Sequence, residues 1–165
     1  MEESIVRLAV ERVKGKADCR FLSFSDFDGL EEGMLSELAL IKGTQQKIKQ
    51  AIQAKMPASA KGHTVVSGYC TVKTKLGFFP VLTAESVKAY RPDIMVHISV
   101  DPLALEGKAV DPDEFRDHQE LEKTYALLLC ASAGCGLKVI HCALDGSRDA
   151  AGELIALLKG ALVGK

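Results

Sequence analysis

The side chains able to do chemistry in this chain are mostly lysines, histidines and cysteines, and their spacing limits what they can do. From residue 38 to residue 84 there is no Asp or Glu, while Lys42, Lys47, Lys49, Lys55, Lys61, Lys73 and Lys75 all fall in that stretch. An acid-free run of cations suits phosphates or RNA, and the same composition also suits an ordinary solvated helix face. Cys130, Cys135, His141 and Cys142 have the atoms of a metal site but not its spacing. Helical residues five apart point about 140° away from each other, and neighbours on a strand face opposite sides. Buried thiols are the simpler reading, and no metal is expected. His97 lies in an apolar run, either as a core histidine or at the mouth of a ligand crevice, since such crevices open at the ends of parallel strands. His118 and Tyr125 are seven apart and share a helix face, where they pack or bridge to the segment near Lys73.

The elements that must position these groups are legible from periodicity and punctuation. Ile5, Val6, Leu8, Ala9 and Val13 recur at helical spacing before Gly15. Residues 19–24 alternate like a strand. A short helix is expected over 30–40 and a second one from Gly43-Thr44, closed by Pro57. A strand covers 64–69, a loop 73–82, and a helix 84–90 capped by Thr83. The run 94–98 is a near-continuous apolar strand of the kind buried on both faces. Asp111-Pro112 is a cap followed by proline at the first helical position, and Gly134 ends that helix. A strand over 137–142 and a helix over 147–162 close the chain. Strands alternating with helices imply α/β architecture with a mostly parallel sheet.

Composition excludes several classes. A chain of 165 residues with 47% apolar and 5% aromatic content suits one domain with an aliphatic core. A net charge of −1 gives no global pull towards nucleic acid or a membrane surface. No apolar run is long enough to span a bilayer. Five scattered cysteines read as reduced thiols in a cytoplasmic protein rather than as a disulfide framework.

Beyond these patterns, Lys73-Thr74-Lys75-Leu76-Gly77-Phe78-Phe79-Pro80 is similar to the Lys-Thr-Pro-x-Gly-Tyr-Leu-Pro segment of the archaeal-type adenylate kinases, in the P-loop nucleoside monophosphate kinase superfamily. Thr44-Gln45-Gln46-Lys47-Ile48 resembles the start of that family's monophosphate-side helix. His118-Gln119-Glu120-Leu121 with Tyr125-Ala126 resembles the helix after its lid, and Gly136-Leu137-Lys138-Val139-Ile140 its last strand. The resemblance implies a three-layer α/β domain over residues 1–165 with a reduced sheet of about four strands. It also implies that Lys73, Thr74, Lys75 and Gly77, with Ser67 and Tyr69, are the candidate nucleotide or anion site. His97, His118 and Tyr125 are secondary candidates.

The departures fall on the catalytic parts. No Gly-x-x-x-x-Gly-Lys-Ser/Thr occurs, and Met1 falls where the family's glycine loop would have ended. Ser67-Gly68-Tyr69 stands where the family has Asp-Thr-His, and Leu38-Ala39-Leu40-Ile41 where it has an arginine for the acceptor phosphate. The lid stretch 103–113 carries only Lys108, with Arg116 beyond it. Phosphoryl transfer rests on positioning and charge neutralisation, and losing one such arginine costs about 10³-fold or more. The expectation is therefore a binding, regulatory or assembly protein with no catalytic residues and no required cofactor, associating with itself or a protein partner. One alternative is an adenine-nucleotide binder or residual kinase using ATP, AMP or magnesium. Another is an RNA- or ribosome-associated protein acting through Lys42, Lys47, Lys49, Lys55 and Lys61. Loss of the family's first strand is expected to be repaired by direct pairing of 64–69 with 94–98.

Overall fold

The computed structural model describes residues 2–14, 19–24, 38–55, 62–75, 77–105, 111–143 and 146–163. In chain order these form α1 (Glu2–Lys14), β1 (Cys19–Ser23), α2 (Leu38–Lys55), β2 (His63–Ser67), β3 (Thr71–Thr74), β4 (Gly77–Pro80), α3 (Ala84–Tyr90), β5 (Ile94–Val100), α4 (Pro112–Ala133), β6 (Gly136–Cys142) and α5 (Ser147–Val163), with a 3-10 turn at Pro102–Leu105. The architecture is α/β. The caps are where local chemistry places them. Thr83 Oγ1 accepts from Ser86 N at 3.1 Å to start α3. Asp111 accepts from the amides of Asp113 and Glu114 to start α4, and Gly134 ends it in the left-handed region (φ 73°).

Two expectations about single elements are corrected. α2 begins at Leu38 and runs unbroken through Gly43, so residues 38–40 belong to the same helix as Thr44; residues 30–37 lie outside the described set. The stretch read as a loop from Lys73 contains an antiparallel hairpin, β3 against β4, with Val72 opposite Phe79 and Lys73 opposite Phe78. Gly77 opens β4 at φ 118°, a backbone conformation that side chains rarely tolerate, which lets the turn close.

The sheet itself is divided. β1 pairs with β2 in parallel, and β5 pairs with β6 in parallel. The expected pairing of 64–69 with 94–98 does not form. Among the described residues β2 bonds only to β1 and β5 only to β6. The reason lies in the helix layers. Val10 and Val13 of α1 pack with Cys19, Phe21 and Val65 of the first pair. Ile5 and Ala9 of the same helix pack with Ile98, Val100 and Ile140 of the second, together with Ala150, Ala151 and Leu154 of α5. One helix thus holds the two pairs at different places along its length.

On the opposite face Ile48 and Ile52 of α2, Val87 of α3, and Ala126 and Leu129 of α4 share a core with Phe24, Val72 and Val81.

Candidate functional site

The hairpin is seated on one stripe of α4, formed by Glu114, His118, Glu122 and Tyr125, at the three- and four-residue spacing that brings helical side chains onto one face. Glu114 forms an ion pair with Lys73. The His118 ring stacks on Phe78 with centroids 4.7 Å apart, and its Nε2 lies 3.1 Å from Thr71 Oγ1. Tyr125 donates its hydroxyl to the carbonyl of Leu82 at 3.0 Å. From α2, Gln45 Nε2 donates to the carbonyl of Pro80 at 2.6 Å.

Glu122 is the centre of this junction. Its carboxylate accepts from the amide of Cys70 at 2.9 Å, from the amide of Thr71, and from the Thr71 hydroxyl. With that hydroxyl donating to Glu122, Thr71 Oγ1 accepts from His118, so His118 carries its proton on Nε2. Burial alone would push the Glu122 carboxyl up. The His118 ring, the Thr71 hydroxyl and the two amides outweigh burial and hold it below the ordinary carboxylate range. Burial, with the Glu122 charge beside it, pushes the Cys70 thiol up and leaves it inert at neutral pH.

At the crest of β2, Ser67 stands opposite Ser23 in the ladder. The next residue, Gly68, lies under the buried ring of Phe24, and a Cβ there would be 2.2 Å from Phe24 Cδ2. Tyr69 meets the same ring edge-on at 5.8 Å. An aromatic plug therefore covers this strand end.

Of the sequence candidates, the structure brings Lys73, His118 and Tyr125 together along α4; of the two alternatives for His118 and Tyr125, packing or bridging, both residues reach the hairpin segment. Thr74 caps its own turn through the carbonyl of Gly77 at 2.9 Å, and Lys75 is exposed in that turn. His97 lies elsewhere, on β5 opposite Val139, where burial lowers its pKa against the opposing pull of Glu122. Lys42 and Lys47 are exposed on α2 but lie about 140° apart around it; Lys61 and the side chain of Lys55 lie outside the described residues. Sequence reasoning missed Glu114, Glu122 and Phe24. The signal for the acids was present, since residues 114, 118 and 122 repeat every four positions on a helix.

A separate cleft of about 330 Å³ opens at the C-terminal ends of β5 and β6, lined among others by Ser99, Asp101, Arg116, Glu120 and His141. Gln119 closes one wall, donating to the carbonyl of Val100 at 2.8 Å and accepting from its amide at 2.6 Å.

No protein-family model matches the chain. Curated proteins do. The chain is 25% identical over 176 residues to the adenylate kinase of Pyrococcus furiosus, covering 95% of this chain and 89% of that one. It is 28% identical over 150 residues to the adenylate kinase of Methanoculleus marisnigri, covering 82% and 78%, and 25% identical over 147 residues to that of Methanopyrus kandleri, covering 78% and 76%. Over most of its length the chain is similar to archaeal adenylate kinases. In this adenylate kinase-like protein the lysine segment forms a hairpin clamped to α4, and Lys73 has a carboxylate against it. No described helix is long and apolar enough to cross a membrane.

Proposed function

We propose that this adenylate kinase-like protein is a non-catalytic scaffold that binds a protein partner within the cell. The observation that carries the reading is the state of the hairpin. Lys73, the cation best placed to meet a phosphate, is paired with Glu114, and the backbone amides of Cys70 and Thr71 are taken by Glu122. The Phe24 ring over Gly68 closes the adjoining strand end. Phosphoryl transfer needs donors aimed at developing charge in an open site; here the two amides are spent on holding the hairpin, and Lys73 is met by a carboxylate at the surface. The test is an assay of purified full chain for ADP formation from ATP and AMP with magnesium. No turnover above the buffer blank is the expected result, and turnover that scales with protein would overturn the reading.

A second reading, adenine-nucleotide binding without transfer, is favoured by the cleft at the ends of β5 and β6, where Arg116 and His141 face a space at the C-terminal ends of parallel strands. Thermal unfolding with and without ATP separates the two. A hundredfold excess over the dissociation constant would add about 2.7 kcal/mol of stability if nucleotide binds, and an unchanged Tm supports the scaffold.

A further inference from the structure

We propose that Cys130 and Cys135, at the turn between α4 and β6, form a redox-active dithiol that exchanges with low-molecular-weight disulfides and closes reversibly into an intramolecular disulfide. The pair lies apart from the hairpin and does not depend on the scaffold reading.

On a continuous helix, residues five apart diverge by about 140°, and spacing alone therefore speaks against this pair. The helix does not continue. α4 ends at Ala133, and Gly134 turns the chain through the left-handed region at φ 73°. The carbonyl of Cys130 then accepts from the amides of Gly134 and Cys135, at 2.8 and 3.1 Å. This is a Schellman-type helix end, in which the side chains at these two positions come into contact. The bond to the Cys135 amide limits the two Cα atoms to about 7 Å apart even with every covalent bond in line. The bends at carbonyl and amide shorten that into the roughly 4.4–6.8 Å that a disulfide spans. The Cys130 thiol reaches past the helix end to donate to the carbonyl of Gly136 at 3.5 Å. The Cys135 thiol stands within hydrogen-bonding reach of it.

The two sulfurs differ in access. Cys130 is 2% exposed. Cys135 is partly exposed between Gly134 and Gly136, which are both exposed, and a Cβ on either glycine would meet nothing within 4 Å. A small disulfide therefore meets Cys135 first. Burial, with the Cys135 sulfur beside it, pushes the Cys130 thiol up to about 11. Cys130 is thus slow as a free nucleophile at neutral pH and acts where its target is already tethered alongside. Both thiols are free in the structure. Among the described residues no third His, Cys, Asp or Glu joins them in a metal-holding group, so the pair has the donors for exchange rather than for a four-ligand metal site.

In the first step the Cys135 thiolate attacks one sulfur of the small disulfide, forming a mixed disulfide and releasing one small thiolate. The Cys130 sulfur, losing its proton, then attacks the Cys135 sulfur, and the second small thiolate leaves. The protons given up by the two protein thiols pass to the two leaving thiolates. The protein dithiol is oxidised and the small disulfide is reduced. An excess of small thiol runs the same steps backwards.

The test incubates the native full chain with oxidised glutathione, blocks the remaining thiols with N-ethylmaleimide, and maps the tryptic peptides by mass. The sequence sorts the thiols for this purpose: Cys130 and Cys135 share the peptide 124–138, while Cys19, Cys70 and Cys142 fall on three others. The expected result is that 124–138 loses two hydrogens and takes up no maleimide while the other three peptides are labelled. Dithiothreitol should restore its labelling. Cys135→Ser should leave Cys130 unreacted, and Cys130→Ala should stop at glutathione on Cys135. In the parent, closure of the mixed disulfide should quicken about tenfold per pH unit between about pH 7 and 9, as the Cys130 thiolate fraction grows. Full maleimide labelling of 124–138 after exposure would overturn the proposal. So would a mixed disulfide that persists at Cys135 of the parent, or closure seen only once urea has unfolded the chain. Reaction of all four peptides at one rate would also overturn it, because that reports general exposure and not a built pair.

Discussion

A methyl group on Gly68 would stand 2.2 Å from Cδ2 of Phe24 and 2.4 Å from Cγ, far inside van der Waals contact. Phe24 is 2% exposed and packs in the largest core, so its ring has nowhere to retreat. Gly68→Ala should therefore destabilise the protein by about 1–3 kcal/mol, the usual range for overpacking. Combining it with Phe24→Leu should restore part of that loss, and urea unfolding of the two single variants and the double variant measures the coupling. Glu122 gives a second test at this scale. Glu122→Gln keeps the shape but exchanges an ionised acceptor for a neutral amide, and should cost about 1–3 kcal/mol at pH 7. The sign with pH follows from the lowered carboxyl. Its stabilisation is fully present above the ordinary value of 4.5 and is lost as pH falls through the lower folded value. The difference between parent and Glu122→Gln should shrink as the pH is lowered from 5 towards 2. A gap that stays constant across that range would show that Glu122 acts by shape alone.

At the scale of elements, α2 offers a gain. Gly43 sits in the helix interior with open space around its Cα, and nothing lies within 4 Å of a Cβ placed there. Gly43→Ala should raise stability by about 0.5–1 kcal/mol, read as a higher urea midpoint at unchanged slope. The same glycine shows what the sequence could and could not give away. Gly43-Thr44 reads locally as a break and a cap, yet Ile48 and Ile52 are fully buried below it, and tertiary packing carries the helix across. The caps at Thr83 and Asp111, the apolar strand at β5 and the closing helix were all legible, because each is decided by neighbouring residues. The hairpin was not. Its residues alternate too briefly to signal strands, and what holds it is an acid on α4 some fifty positions away. The candidate site was legible in the same proportion. Lys73, His118 and Tyr125 were visible as chemistry, while Glu114 against Lys73 and Glu122 beside His118 stood out only once α4 had a face.

For the whole molecule, the division of the sheet shifts the burden of cohesion onto α1 and α4. Ile5 packs on the pair formed by β5 and β6, and Val13 packs on the pair formed by β1 and β2. Ile5→Ala should cost about 2–5 kcal/mol. If α1 welds the pairs into one cooperative unit, Ile5→Ala and Val13→Ala should each lower a single transition seen together by circular dichroism and by exchange protection in both pairs. Two separate transitions, one for each pair, would show that the halves unfold independently.

The carboxylate at the hairpin has an outcome that reaches beyond stability. Two successive backbone amides, at Cys70 and Thr71, converge on the oxygens of Glu122, an arrangement that in other contexts gathers oxyanions from solution. Here the oxyanion is tethered to the same polypeptide, and a tethered group competes as though present at millimolar concentration or above. A free phosphate or sulfate at ordinary levels meets a seat that is permanently occupied from within. Truncating Glu122 to alanine would therefore do more than loosen a hairpin: it would turn a self-contained contact into a vacancy for inorganic anions, and competence to bind them would appear as a gain of function in a weakened fold.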